Sequence, residues 1–104
     1  MLPYVDDFLL DLQANNYSQE TIYNYERDLK VFEQFLTESR IGFEKTDKRA
    51  ITQYKAYLAS RDRKTASLTS GEKQLASRSV NRMLSALRSF LRYLIEMDYP
   101  CPLP

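Results

Sequence analysis

Ser18-Gln19-Glu20-Thr21-Ile22-Tyr23-Asn24-Tyr25-Glu26-Arg27-Asp28-Leu29-Lys30-Val31-Phe32-Glu33-Gln34-Phe35-Leu36 carries its apolar residues at the period of an α-helix. Ile22, Tyr25, Leu29, Phe32 and Leu36 alternate spacings of three and four, so they form one apolar stripe down roughly five turns of α-helix. Ser18 carries a hydroxyl suited to the free N–H groups of the first turn. The helix is expected to end near Ser39, before Gly42.

Outward from this helix, the same period recurs three times. A first helix runs from Leu2 or Pro3 to about Asn15, with Val5, Phe8, Leu9 and Leu12 on one face and Asp6 and Asp7 in the favourable first turn. Asn15-Asn16-Tyr17 breaks it. A third, shorter helix follows a cap at Thr46 or Asp47 and aligns Ala50, Ile51, Tyr54 and Leu58. From Arg61 to Ala76 the periodicity is lost, and the stretch reads as a long polar surface loop. The fourth helix has its cap at Ser77 or Ser79 and a stripe of Val80, Leu84, Leu87, Leu91 and Leu94, flanked by Met83, Phe90 and Ile95. It stops at Asp98-Tyr99-Pro100.

No stretch alternates as a strand, so the fold class is all-α with four helices. Residues 1–99 are expected to form one helical domain. Residues 100–104 hold three prolines in five positions, which suit either a short tail or the start of a linker into another domain.

The 104 residues, 43% apolar and 28% charged, fit a single folding domain rather than a disordered chain. With no histidine and one cysteine, the chain cannot carry a serine-histidine-acid triad, a His-ligated metal, an internal disulfide or a CxxC cluster. No catalytic, cofactor-binding or metal residues are assigned. Gly42 and Gly71 are isolated, so neither a phosphate-cradling loop nor a dinucleotide fingerprint is present. The N-terminus has no basic leader before an apolar run, and no run is long enough for a membrane span. These features and the lone Cys101 predict a cytoplasmic protein with no membrane partner.

The formal net charge of +1 conceals a dipolar chain. Residues 1–45 hold nine acidic and four basic side chains, a balance of −5, whereas residues 46–104 hold eleven basic and five acidic, a balance of +6. Either one surface is meant for a polyanion, or the two halves attract each other. The fourth helix favours the polyanion. Opposite its apolar stripe stand Arg78, Arg82, Ser85, Ser89 and Arg92, with Asn81 and Arg88 at the edge and no acidic residue before Glu96. Guanidinium groups, small hydroxyls and an amide are the groups that reach phosphates and base edges. A solvated helix that happens to be basic is the plainer alternative.

The outward face of the second helix, with Glu20, Tyr23, Asn24, Arg27, Lys30 and Gln34, is more mixed. Arg61, Arg63, Lys64 and Lys73 could clamp a nucleic-acid backbone or simply keep a loop soluble. The eight tyrosines suggest a tyrosine nucleophile, yet Tyr25, Tyr54 and Tyr57 fall on or beside core stripes and no basic partners converge on any of them.

Tyr17-Ser18-x-x-Thr21-x-x-x-Tyr25-x-x-Asp28-Leu29-x-x-Phe32 resembles the second helix of the N-terminal, SAM-like core-binding domain of tyrosine recombinases, the phage-integrase and Xer group. Ser79-Val80-Asn81-Arg82-x-Leu84-Ser85-Ala86-Leu87-Arg88-Ser89-Phe90-x-x-Tyr93-Leu94, before a proline-bearing exit, resembles that domain's last helix. Thr46-Asp47 with Ile51, Tyr54 and Leu58 is similar to its third. The resemblance implies two crossed helix pairs gripping double-stranded DNA in the major groove, while a separate C-terminal domain supplies the catalytic tyrosine and its partners. It implies DNA contacts from Thr21, Tyr23, Asn24 and Arg27 on the second helix. On the fourth it implies Ser77, Arg78, Asn81, Arg82 and Ser85, with Arg88 beside them.

The resemblance further implies that the first helix contacts the next protomer of a recombining tetramer, in a bacterial or archaeal nucleoid. The sequence departs from the family pattern at Cys101-Pro102, where asparagine before proline is more usual, and in the long stretch from Arg61 to Ala76. Two rival readings stay open at this point: a helical protein–protein interaction module that binds no DNA, and a small carboxylate-based, metal-dependent nuclease, for which the acidic residues are widely dispersed.

Overall fold

The second helix forms as its stripe requires. In the computed structural model, which describes the backbone of residues 2–66 and 72–103 and the side chains of residues 2–59 and 78–103, it is α2 (Gln19–Ser39). Ser18 caps it, its Oγ accepting from the Thr21 N–H at 3.1 Å. Leu29, Phe32, Phe35 and Leu36 are buried along one side, with Ile22 and Tyr25 half-buried at its start.

Three further α-helices complete the described residues, which contain no strand: α1 (Val5–Ala14), α3 (Lys48–Ala66) and α4 (Glu72–Glu96). A single 3-10 turn, Phe43–Lys45, leads from α2 to α3. The all-α expectation holds. α4 packs against all three other helices, most extensively α3 and then α2.

Rings hold the centre. Phe32 meets Tyr54 edge-on at 4.9 Å, Phe35 lies 5.1 Å from Tyr54, and Phe8 of α1 meets Phe90 of α4 at 5.5 Å. Burying such a side chain is worth about 1.5–3 kcal/mol, and edge-to-face pairing adds to it. On α4 the stripe is rotated slightly from the expected one: Phe90, Leu87, Tyr93 and Leu94 are buried, while Val80, Leu84 and Leu91 are half-buried at one edge. Ile95 is 46% exposed.

Three expectations about helix limits need correction. α1 begins at Val5 rather than at Leu2 or Pro3, because Tyr4 takes a left-handed conformation (φ 64°) that turns Leu2 into the core. That turn also sets the Tyr4 ring on Tyr99, with centroids 4.2 Å apart. α3 is not short: capped by Asp47, whose Oδ1 accepts from the Ala50 N–H at 2.8 Å, it continues for 19 residues to Ala66. α4 starts at Glu72, so Ser77 and Ser79 lie inside the helix rather than at its cap.

The stretch from Arg61 to Ala76 is therefore helical at both ends, and residues 67–71 lie outside the described residues. Its flanks are rich in Lys, Arg, Glu, Gln and Ala, residues whose intrinsic preference extends a helix where no apolar stripe marks one. The tail after α4 does not leave the body at once. Cys101 packs against the core cluster, its thiol directed to the carbonyls of Leu103 at 2.9 Å and Leu91 at 3.8 Å.

Candidate nucleic-acid interface

An ion pair joins α2 and α4. Arg82 of α4 donates from Nε to Oδ2 of Asp28 and from Nη2 to Oδ1, both at 3.2 Å, in the parallel two-bond geometry of a guanidinium and a carboxylate. Asp28 sits within the apolar stripe of α2, three residues after Tyr25 and four before Phe32, and its side chain is 2% exposed. Arg82 is 46% exposed. The pair thus closes the inner end of a seam whose outer edge reaches solvent.

Asn24 and Thr21 lie one and two turns before Asp28 on α2, and Arg78 lies one turn before Arg82 on α4. The Arg82–Asp28 bond ties the turn of α4 that follows Arg78 to the helix that carries Thr21, Asn24 and Arg27. Thr21 is partly committed to the helix start, its Oγ1 accepting from the Ser18 hydroxyl at 2.9 Å. Tyr23 is 58% exposed and carries the Arg27 guanidinium over its ring, 5.8 Å from the centroid. Such an exposed cation–π contact contributes about 0.5–1 kcal/mol and gives Arg27 a preferred direction.

Asn81, Ser85 and Arg88 are exposed on the other flank of α4. They line an open groove of about 710 Å³ between α4, α3 and the tail, together with Lys55, Arg92 and an apolar floor of Ile51, Leu84, Leu87, Leu91, Ile95 and Leu103. The expected site residues thus divide between a seam toward α2 and a groove toward α3. The side chains of Ser77, Arg61, Arg63, Lys64 and Lys73 lie outside the described residues.

Sequence reasoning misses two participants. Asp28 enters it only as part of a motif, although a carboxylate inside an apolar stripe signals a buried partner. Lys55 follows the buried Tyr54 and stands one turn after Ile51, which places it at the groove's edge. Of the tyrosines, Tyr54 is fully buried, Tyr25 packs edge-on against Phe8 at 5.6 Å, and Tyr57 donates to the Glu38 carboxylate at 2.8 Å. Tyr93 has its phenol held above the ordinary range by burial, reinforced by the Tyr99 phenol and by the nearby Asp7 and Asp11 carboxylates. Each of these has a packing role.

Among the described residues no group of three or more His, Cys, Asp or Glu could hold a metal ion, and no helix is long and apolar enough to cross a membrane.

Residues 5–97 match the family described as phage integrase, N-terminal SAM-like domain. Curated relatives agree. The chain is 32% identical over 84 residues to the tyrosine recombinase XerC of Pediococcus pentosaceus, covering 79% of this chain and 24% of the relative. It is 34% identical over 83 residues to the protein of that name from Leptospira interrogans, covering 80% and 23%. For the Staphylococcus aureus protein it is 31% over 94 residues, covering 89% and 28%. The chain therefore spans about a quarter of the length of these relatives. No solved structure gives a significant match.

Proposed function

Since the chain belongs to the phage-integrase N-terminal SAM-like domain family, we propose that it is the DNA-binding domain of a site-specific tyrosine recombinase, holding a recombination half-site in the major groove. The observation that carries this reading is the joined polar surface of α2 and α4. Arg78, Arg82, Arg88 and Arg92 are exposed on α4, no acidic residue intervenes before Glu96, and the Asp28 bond ties Arg82 to the helix that carries Asn24 and Arg27. Arginine and amide side chains on a helix are the groups that hold phosphates and read base edges in that groove.

In this reading residues 1–99 grip the duplex and residues 100–104 begin the connection to a C-terminal catalytic domain of the parent protein. That domain cuts and rejoins DNA through a phosphotyrosyl intermediate, and the domain described here supplies no catalytic group. α1 meets a neighbouring protomer of a tetramer on DNA. The work is done in the cytoplasm, on the bacterial or archaeal nucleoid.

A second reading, a helical protein-interaction module, draws on the groove, where half-buried Leu84 and Leu91 and half-exposed Ile95 sit among Lys55, Arg88 and Arg92. The two readings separate on one pair of substitutions. Arg78→Ala combined with Arg88→Ala should weaken binding to a random-sequence duplex and lower the log–log salt slope by about one for each phosphate no longer neutralised. An unchanged slope would take this face of α4 out of the DNA interface and favour a protein partner.

A further inference from the structure

We propose that Asp28 is a positioning residue for DNA recognition: a buried carboxylate that fixes the plane and direction of the Arg82 guanidinium at the α2–α4 seam. The proposal rests on the DNA-binding reading above and adds to it a residue that never touches DNA.

A guanidinium carries five N–H donors. Asp28 takes the Nε proton and one Nη2 proton, which is the side edge of the group. The end edge, Nη1 with the second Nη2 proton, is left over, and that edge forms bidentate bonds to a guanine or a phosphate. Asp28 cannot yield, because it is embedded in the stripe of α2 between Tyr25 and Phe32 with its side chain 2% exposed. A flexible arginine is thereby held in one orientation before any ligand arrives, and the ordering cost of binding falls.

Charge alone argues against Asp28 at this place. A carboxylate beside a polyanion repels it, so a domain selected only for DNA affinity would do better with a neutral side chain at position 28. Fold stability alone is also a weak reason, since a buried ion pair is often no better than apolar residues of the same volume. Orientation is the function that requires a carboxylate, and it makes a prediction of opposite sign to electrostatics.

The test uses Asp28→Asn and Arg82→Lys in the 104-residue chain. The probes are a half-site duplex selected by the wild-type chain from a random pool and a scrambled duplex of the same composition. Thermal midpoints are recorded alongside. In Asp28→Asn, binding to the scrambled duplex should stay level or tighten, while the ratio of half-site to scrambled affinity falls by about tenfold or more. Arg82→Lys should lose the ratio similarly, although an ammonium can still neutralise Asp28, because it has no fork to orient.

Ratios within about twofold of wild type in the folded variants would overturn the proposal, as would half-site and scrambled affinities that rise together in Asp28→Asn. Should Asp28→Asn fail to fold, the Arg82→Lys ratio decides. A wild-type chain that selects no half-site would instead overturn the DNA reading itself and this proposal with it, an outcome distinct from selection that is insensitive to residue 28.

Discussion

Replacing Arg82 by alanine strands the Asp28 carboxylate in the stripe of α2, where water reaches little of it. Removing one partner of such a pair exposes the desolvation cost of the other. Arg82→Ala should therefore lower stability by about 1–3 kcal/mol, a range kept modest because Arg82 itself is half-exposed. Urea unfolding measures this, and Asp28→Leu/Arg82→Met should recover most of the loss; a single variant as stable as wild type would show that the pair contributes nothing to the fold. Tyr93 gives a pH signature at the same scale. Its phenol is raised in the folded chain by burial, then by Tyr99, Asp7 and Asp11, so the fold favours the neutral form. The stability this confers is complete below the unfolded phenol value of roughly 10 and is lost as pH rises through the folded value. The urea midpoint should fall across the alkaline range and fall less steeply in Tyr93→Phe; parallel declines would contradict the assignment. Neither Asp28 nor Tyr93 stands out in the sequence, because a side chain's role in a pair depends on a partner that spacing along one helix does not reveal.

The helices end in a way that only the backbone shows. α1, α2 and α4 each close with a left-handed residue, Asn16 (φ 64°), Arg40 (φ 57°) and Asp98 (φ 58°). The next N–H in each case bonds back five residues: Tyr17 to Leu12 at 3.1 Å, Ile41 to Leu36 at 2.9 Å and Tyr99 to Leu94 at 2.9 Å. Glycine is the residue best suited to that place, yet Gly42 lies two positions past Arg40 in an extended conformation (φ −71°). A bulky residue there costs roughly 1–2 kcal/mol, partly offset in a glycine variant by the freer unfolded chain. Arg40→Gly should accordingly stabilise the domain by about 1 kcal/mol, read as a higher denaturant midpoint with unchanged slope. A lower midpoint would mean that the Arg40 side chain does something the helix end does not require. At this scale the sequence is most legible where apolar residues repeat. Ser18, the α2 stripe and its end near Ser39 are all readable, whereas the polar turns before Ala66 and after Glu72 are not, because intrinsic preference without a buried stripe leaves no periodic mark.

Across the molecule, the acidic and basic halves of the sequence are packed against each other. Exposed Asp6 and Asp7 mark α1, exposed arginines mark α4, and the Arg82–Asp28 bond joins the basic half to the acidic one. The four-helix fold and the polar face of α4 are legible because burial and charge both leave a helical period. The division of that face into a seam toward α2 and a groove toward α3 is not, since it depends on how far each helix is rotated about its axis. Binding of duplex DNA by this surface is the proposal on which the functional reading stands. It is tested most directly by measuring binding of the chain to a mixed duplex pool across ionic strength and sequencing the bound fraction. Binding should show a log–log slope equivalent to about four or more released counterions, with an enriched half-site in the bound fraction. No binding at low salt would contradict it and leave the arginines of α4 as an ordinary solvated face.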